Sequence, residues 1–371
     1  METKIGFKLM VATILVMVSA IPASFSSSLF AQGPVTLNGA GATFPFPLLD
    51  TWRVEYQTVE PNVNINYQSI GSGGGVKQFT EKTVDFGASD APLTPEEEVN
   101  APGAVTIPFT IGSVVPAYNI PGVPDKGLKL TGPVLSDIFL GTITKWNDPQ
   151  IVELNPDLTL PDADIVTVHR SDGSGTTFVW TDYISAVSPE WSNQIGKGKS
   201  VQWPTGLGAP GNEGVANGIR GSANTIGYVE LAYALTTGIP FAFVQNQAGN
   251  FIEPTIESTR AAVEAAAPEL PAGDASWTNV TMVNAPGNDS YPIASFSYLL
   301  ADKELSQNPT MTAQKAEALI DFIDWGVTDG QQFAPELAYV PLPENVQQLN
   351  EATLSGMTFN GNPLFNSTGA Q

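Results

Sequence analysis

Short apolar segments of period two alternate along this chain with segments of helical period, and three of the joins are glycine-rich turns bearing hydroxyls. The first, Gly39-Ala40-Gly41-Ala42-Thr43-Phe44-Pro45, runs into a predicted helix over Pro45–Tyr56 whose Leu48, Trp52 and Tyr56 share one face. Thr43 is its expected N-cap and Pro45 suits its first turn. The second, Gly71-Ser72-Gly73-Gly74-Gly75, follows the alternating Val63, Ile65 and Tyr67 and precedes a helix predicted from Val76. The third, Arg170-Ser171-Asp172-Gly173-Ser174-Gly175-Thr176-Thr177, lies between the β-branched stretch Ile165–His169 and a helical run over Thr176–Val187. Further strands are expected over Thr83–Ala88 and where Val105, Ile107, Phe109 and Ile111 alternate. Further helices are expected over Pro133–Leu140, closed by Gly141, over the alanine-rich Ala261–Ala267, and over Ala313–Trp325, closed by Gly326. Strands alternating with helices imply βαβ units, mostly parallel sheets and an α/β class. Asn308–Thr310 and Pro341–Pro343 read as loops, the tail Gly361–Gln371 as frayed, and no internal repeat stands out.

Composition narrows the chemistry. At 371 residues and 42% hydrophobic, the chain can bury a sizeable core and divide into two domains. Only 14% of residues are charged, so charge-driven disorder is excluded. The formal charge of −22 leaves no basic stripe to neutralise phosphates along a nucleic acid. The absence of cysteine removes disulfides, zinc–thiolate sites and thiol nucleophiles, and the single histidine, His169, rules out a multi-histidine metal site.

Residues 1–31 carry Lys4 and Lys8, the apolar run Leu9–Ser19, and small residues before Ala31. That is the pattern of a cleaved secretory signal peptide; the apolar stretch is shorter than the ~20 residues of a membrane-spanning helix and Pro22 closes it. The mature protein is expected to be exported, one unit more negative than the full chain.

Each glycine-rich turn would aim unpaired N–H groups and a hydroxyl from a helix N-terminus, an end that attracts anions. One such turn alone is most often an ordinary turn and cap; three in one α/β chain, one bearing Arg170, point to a shared oxyanion site. Competing motifs fail. Gly71–Gly75 continues into Val76-Lys77 and is no P-loop, and Phe44 stands where a dinucleotide fingerprint needs its third glycine. Asp172 replaces the first glycine of a Gly-x-Ser-x-Gly elbow around Ser174.

Taken together, Gly39–Pro47 (GAGATFPFP), Tyr67–Gln78 (YQSIGSGGGVKQ), Val84–Thr94 (VDFGASDAPLT), Asp137–Trp146 (DIFLGTITKW), Val168–Phe178 (VHRSDGSGTTF) and Thr225–Tyr233 (TIGYVELAY) closely resemble the periplasmic phosphate-binding proteins of bacterial ABC transporters. The segments occur in the family's order, and the resemblance runs from about residue 36 to 345. It implies an α/β two-lobed periplasmic-binding-protein fold of type II, each lobe a mostly parallel sheet flanked by helices. Residues 34–110 and 290–371 would build one discontinuous lobe and 111–289 the other, with crossings near Thr110–Ala117 and Asn288–Ser295. The family's phosphate contacts fall on Thr43, Phe44, Ser72, Asp90, Arg170, Ser174, Gly175 and Thr176, with Phe44 and Gly175 acting through backbone N–H groups and Asp172 orienting Arg170. His169, the third glycine Gly75 and the low basic content depart from the family pattern, all outside this contact set.

By spacing alone, Ser89-Asp90-Ala91-Pro92 reads as an ordinary turn; the resemblance makes Asp90 the acceptor of the phosphate O–H. Sulfate has no proton to give and would be repelled. The implied function is specific binding of inorganic phosphate in the periplasm and its delivery to inner-membrane ABC permease subunits, with the ATPase subunits engaged indirectly. The chain is expected to act as a monomer, not as an enzyme, without cofactor or metal and without nucleic-acid partners. Two alternatives stand beside it: a secreted phosphatase or hydrolase using the Arg170–Thr176 loop, and a receptor for another oxyanion. His169, Asp172 and Ser174 share the residue types of a hydrolase triad, but neighbours on one turn do not line up as nucleophile, base and orienter. The seven tryptophans are scattered at core-like spacings, which argues against an adhesion module.

Overall fold

The computed structural model describes residues 33–266 and 270–365, so residues 1–32 with the expected signal peptide, residues 267–269 and the last six residues lie outside it. The first half-sheet is built by β1 (Val35–Gly41), β2 (Val63–Ser69) and β3 (Phe86–Ser89), with α1 (Phe46–Val59), α2 (Ser72–Thr80) and α3 (Pro95–Asn100) between and after them. The long β4 (Ala104–Asn119) follows, then β5 (Lys129–Leu130), α4 (Gly132–Leu140) and α5 (Pro149–Leu154). Next come β6 (Val166–Arg170), α6 (Gly175–Val187), α7 (Pro189–Gln194), β7 (Leu207–Ala209), α8 (Gly211–Gly221) and β8 (Thr225–Glu230). The chain continues through α9 (Leu231–Thr237), β9 (Phe243–Gln245), β10 (Phe251–Ile252), α10 (Ile256–Ala266), β11 (Ala294–Asp302), α11 (Ala313–Val327) and α12 (Glu344–Ser355).

Eight strands join in the order β2-β1-β3-β11-β4-β8-β6-β7. β1, β2 and β3 are parallel, as are β6, β7 and β8; β4 and β11 run antiparallel to their neighbours. β4 is the splice. Its residues up to Ser113 pair with β11, and from Val114 onward they pair with β8. This sixteen-residue strand is buried at every position but its two ends, because helices and loops cover it on both faces.

Each half packs round its own aromatic cluster. In the first, Trp52 of α1 touches Phe109, Phe322 and Trp325, and its indole N–H donates to the Gly330 carbonyl at 2.8 Å. In the second, Trp180 stacks on Tyr228 with ring centres 5.1 Å apart, and Phe139 and Trp203 close the cluster.

Four local expectations are corrected, and crowding accounts for two of the glycines involved. Thr43 does not cap α1; Pro45 occupies that position, and the Thr43 hydroxyl is turned to Asn212. α2 begins at Ser72 rather than Val76, so its glycines lie inside the helix, where a β-carbon on Gly75 would stand 2.4 Å from Gly41 Cα. Gly326 does not stop α11, which runs on to Val327; it is glycine because a β-carbon there would meet the Trp52 ring at 2.6 Å. β3 starts at Phe86, since the preceding residues turn out of α2. Gly141, by contrast, ends α4 in the left-handed conformation as expected.

Candidate functional site

The three glycine-rich turns converge, the first two from the β1–β2–β3 side of the sheet and the third from the β6–β7–β8 side. The Gly73 N–H donates to the Gly173 carbonyl at 2.8 Å, so the second and third turns meet backbone to backbone. A β-carbon on Gly73 would stand 3.0 Å from Gly173 Cα, which is why both positions are glycine.

α6 supplies the third turn. Ser174 is its N-cap and accepts from the Thr177 N–H at 3.0 Å, while its own N–H donates to the Lys199 carbonyl at 2.8 Å. The first N–H groups of any helix lack an intrahelical acceptor. Among the described residues, those of Gly175 and Thr176 have no acceptor, nor do those of Ser72 at the start of α2 and Phe44 in the first turn. The Phe44 ring is wholly buried, so this residue offers the site its backbone only. Its carbonyl is held by the Tyr339 hydroxyl at 2.6 Å, and the Thr43 carbonyl by that of Tyr233 at 2.6 Å.

Arg170 ends β6 and is 3% exposed. Its Nε and Nη2 donate to the two oxygens of Asp172 at 2.7 and 2.5 Å, a two-point contact that fixes the guanidinium plane. Burial disfavours the Asp172 anion, but the hydrogen bonds and charge of Arg170 outweigh it, aided by the Gly211 N–H, and hold its carboxyl below the usual range. Nη1 of Arg170 points toward Thr176 Oγ1 at 3.4 Å. The Tyr228 hydroxyl accepts from the Arg170 N–H at 3.1 Å, which ties the arginine to the aromatic cluster behind it.

Asp90 closes the site from the first half. Its Oδ1 accepts from Ser297 Oγ at 2.8 Å, its Oδ2 lies 3.4 Å from Ser72 Oγ, and its own N–H donates to that hydroxyl at 3.1 Å. Complete burial pushes the Asp90 carboxyl up to about 7, against the opposing pull of the Ser297 hydrogen bond, the Arg170 charge and the Ser72 hydrogen bond. The structure therefore brings together Thr43, Phe44, Ser72, Asp90, Arg170, Ser174, Gly175 and Thr176, with Asp172 behind Arg170.

Sequence reading missed Asn212, Glu230 and Ser297. Asn212, fully buried at the start of α8, reaches Thr43 Oγ1 and Thr176 Oγ1 through its side-chain amide at 2.8 and 3.0 Å. The signal was present as a fourth strand–turn–helix join, Leu207–Ala209 followed by Pro210-Gly211-Asn212. Glu230 is buried at the end of β8, and burial pushes its carboxyl well above the usual range. Nothing local marks Ser297, which reaches Asp90 only through the pairing of β11 with β3 and β4.

The arrangement is a set of donors around Asp90, in which His169, Asp172 and Ser174 do not line up as a triad. His169 stacks on Trp203, its Nδ1 lies 3.1 Å from the Arg170 carbonyl, and no hydrogen bond joins it to Ser174 or Asp172. Burial lowers its pKa. Among the described residues, no group of three or more carboxylates and histidines could hold a metal.

A family model described as a PBP superfamily domain matches residues 30–329. The phosphate-binding protein PstS of Pasteurella multocida is 46% identical over 333 residues, covering 88% of this chain and 92% of that one. PstS of Xylella fastidiosa is 45% identical over 323 residues, covering 86% of this chain and 84% of its own length. A solved phosphate-binding protein from Stenotrophomonas maltophilia superposes with a TM-score of 0.66 at 21% identity, over 87% of this chain and 99% of that one. That likeness establishes the two-lobed fold.

Proposed function

Because this chain belongs to the phosphate-binding proteins of the PBP superfamily, we propose that its converging turns hold one inorganic phosphate and that the protein delivers it to an ABC importer. The observation that carries this reading is Asp90, a buried carboxylate set among otherwise unpartnered donors. Phosphate at neutral pH always keeps a proton, and Asp90 accepts it. Hydroxyls of Thr43, Ser72, Ser174 and Thr176, the N–H groups of Phe44 and Gly175, and Arg170 serve the remaining oxygens. Sulfate offers no proton, so it would leave a carboxylate facing an anion, and sites built on one such hydrogen bond reject the analogue lacking it by roughly 10⁴–10⁵. The chain's negative charge does not forbid this, since exposed charges are screened beyond about 8–10 Å at physiological salt.

In the same reading, residues 34–110 with 290–371 form one lobe and 111–289 the other, and β4 together with the segment entering β11 makes the crossings. The protein works as a periplasmic monomer that docks on inner-membrane permease subunits and performs no chemistry on its ligand. Isothermal titration tests the core of this. One phosphate should bind per chain, arsenate should compete, sulfate should give no heat, and Asp90→Asn should narrow the preference for phosphate over sulfate. Equal binding of sulfate by the native protein, or an unchanged preference in Asp90→Asn, would remove the assignment.

A further inference from the structure

We propose that Asn212 is a positioning residue of the phosphate site, which forces the Thr43 and Thr176 hydroxyls to act as donors toward the anion and links the turn carrying Thr43 to the helix carrying Thr176. The inference rests on the phosphate reading above and deepens it.

A threonine hydroxyl has one hydrogen to give and two lone pairs to receive with. Thr43 Oγ1 receives from the Asn212 backbone N–H at 3.2 Å and from its side-chain Nδ2 at 2.8 Å. Thr176 Oγ1 receives from the same Nδ2 at 3.0 Å and from Arg170 Nη1 at 3.4 Å. Both lone pairs of each oxygen are therefore engaged, and each hydroxyl hydrogen must point away from Asn212. Among the described residues, neither hydrogen has an acceptor. An anion placed between the two would receive both.

The orientation of the amide follows from its other end. Asn212 Oδ1 accepts from the Glu230 backbone N–H at 2.9 Å, a donor that cannot reverse its role. Nδ2 is thereby assigned to the threonines, and its two hydrogens match the two oxygens. Asn212 is 0% exposed, so water does not compete for any of these bonds. An aspartate here could only accept; it would draw both threonine hydrogens onto itself and add a negative charge beside the anion. Asn212 thus serves any tetrahedral oxyanion alike, whereas Asp90 chooses among them.

The test is phosphate titration of the native protein, Asn212→Ala, Thr43→Val, Thr176→Val and the two combinations of Asn212→Ala with each valine. Asn212→Ala should weaken phosphate by about tenfold or more, and this loss should shrink at least about threefold in either valine background, because the hydroxyl it acts through is gone. Phosphate and arsenate should weaken in parallel. Full additivity in both valine backgrounds, or native-like affinity in Asn212→Ala, would overturn the proposal. Asn212→Asp, which preserves shape, guards against a folding defect. It should bind phosphate more weakly than Asn212→Ala when both are titrated below their phosphate-free melting temperatures, and native-like affinity there also overturns the proposal. A native protein that binds no phosphate would instead overturn the underlying phosphate reading.

Discussion

Gly175 and Asp90 approach so closely across the cleft that a β-carbon on the glycine would stand 2.5 Å from the carboxylate Oδ2. The same atom would lie 2.5 Å from Ser72 Oγ. Glycine is required here by crowding from the opposite half. Neither neighbour can swing clear, since Asp90 is pinned by Ser297 and Ser72 by Asp90. Gly175→Ala should therefore hold the halves apart and weaken phosphate by about tenfold or more on titration. Affinity within about threefold of native would show that closure does not run through this contact.

Asp90 also gives the phosphate-free protein a pH signature. Between the ordinary carboxylate range and about 7, the folded state holds a proton on Asp90 that the unfolded chain has released. Stability then falls as pH rises through that window. Asp90→Asn lacks this term. Melting temperatures measured without phosphate from about pH 4 to about pH 8 should show the native protein losing ground to Asp90→Asn as pH rises. Parallel curves would mean that Asp90 is not held protonated by its burial.

Arg170 and Asp172 should separate in magnitude. Arg170→Ala removes a buried charge that serves the anion and strands the Asp172 carboxylate, so phosphate should weaken by far more than about tenfold. Asp172→Asn keeps one acceptor for Arg170 and for the Gly211 N–H, and should cost less. A larger loss in Asp172→Asn than in Arg170→Ala would invert the assigned roles.

At the rim, Lys199 Nζ meets both oxygens of Glu97 at 2.5 Å, joining the loop after α7 to α3. The side chains are 13% and 25% exposed, so solvent weakens the pair without abolishing it. Lys199→Met should speed phosphate release by about two- to fivefold, and added salt should narrow the difference from native. Stopped-flow release measurements decide this; unchanged rates at low salt would refute a role in holding the cleft shut.

The α/β class and the three turns were legible in the sequence because they depend on local chemistry: strand alternation and glycine clusters, with an N-capping hydroxyl at the third turn. The contact set came from the resemblance, and no local rule would have picked Asp90 from an ordinary Ser-Asp-Ala-Pro turn. Illegible features depend on what lies opposite. Gly326 looks like a helix stop until Trp52 is seen against it, and Thr43 looks like a cap until Asn212 claims its oxygen. Asn212 itself lies 169 positions from Thr43, a separation that periodicity cannot bridge.

The exchange of partners along β4, from β11 up to Ser113 to β8 from Val114, has a mechanical consequence. In the two-lobe reading proposed above, each side would keep nearly all of its own ladder, with the Val114 N–H bond to the Ile293 carbonyl at the join, so the two would swing about that peptide as on a leaf spring. Resistance to gaping then resides mainly in the facing loops, the Gly73–Gly173 bond and the Lys199–Glu97 pair among them. A small ion that adds a few bonds there can decide which way the spring rests.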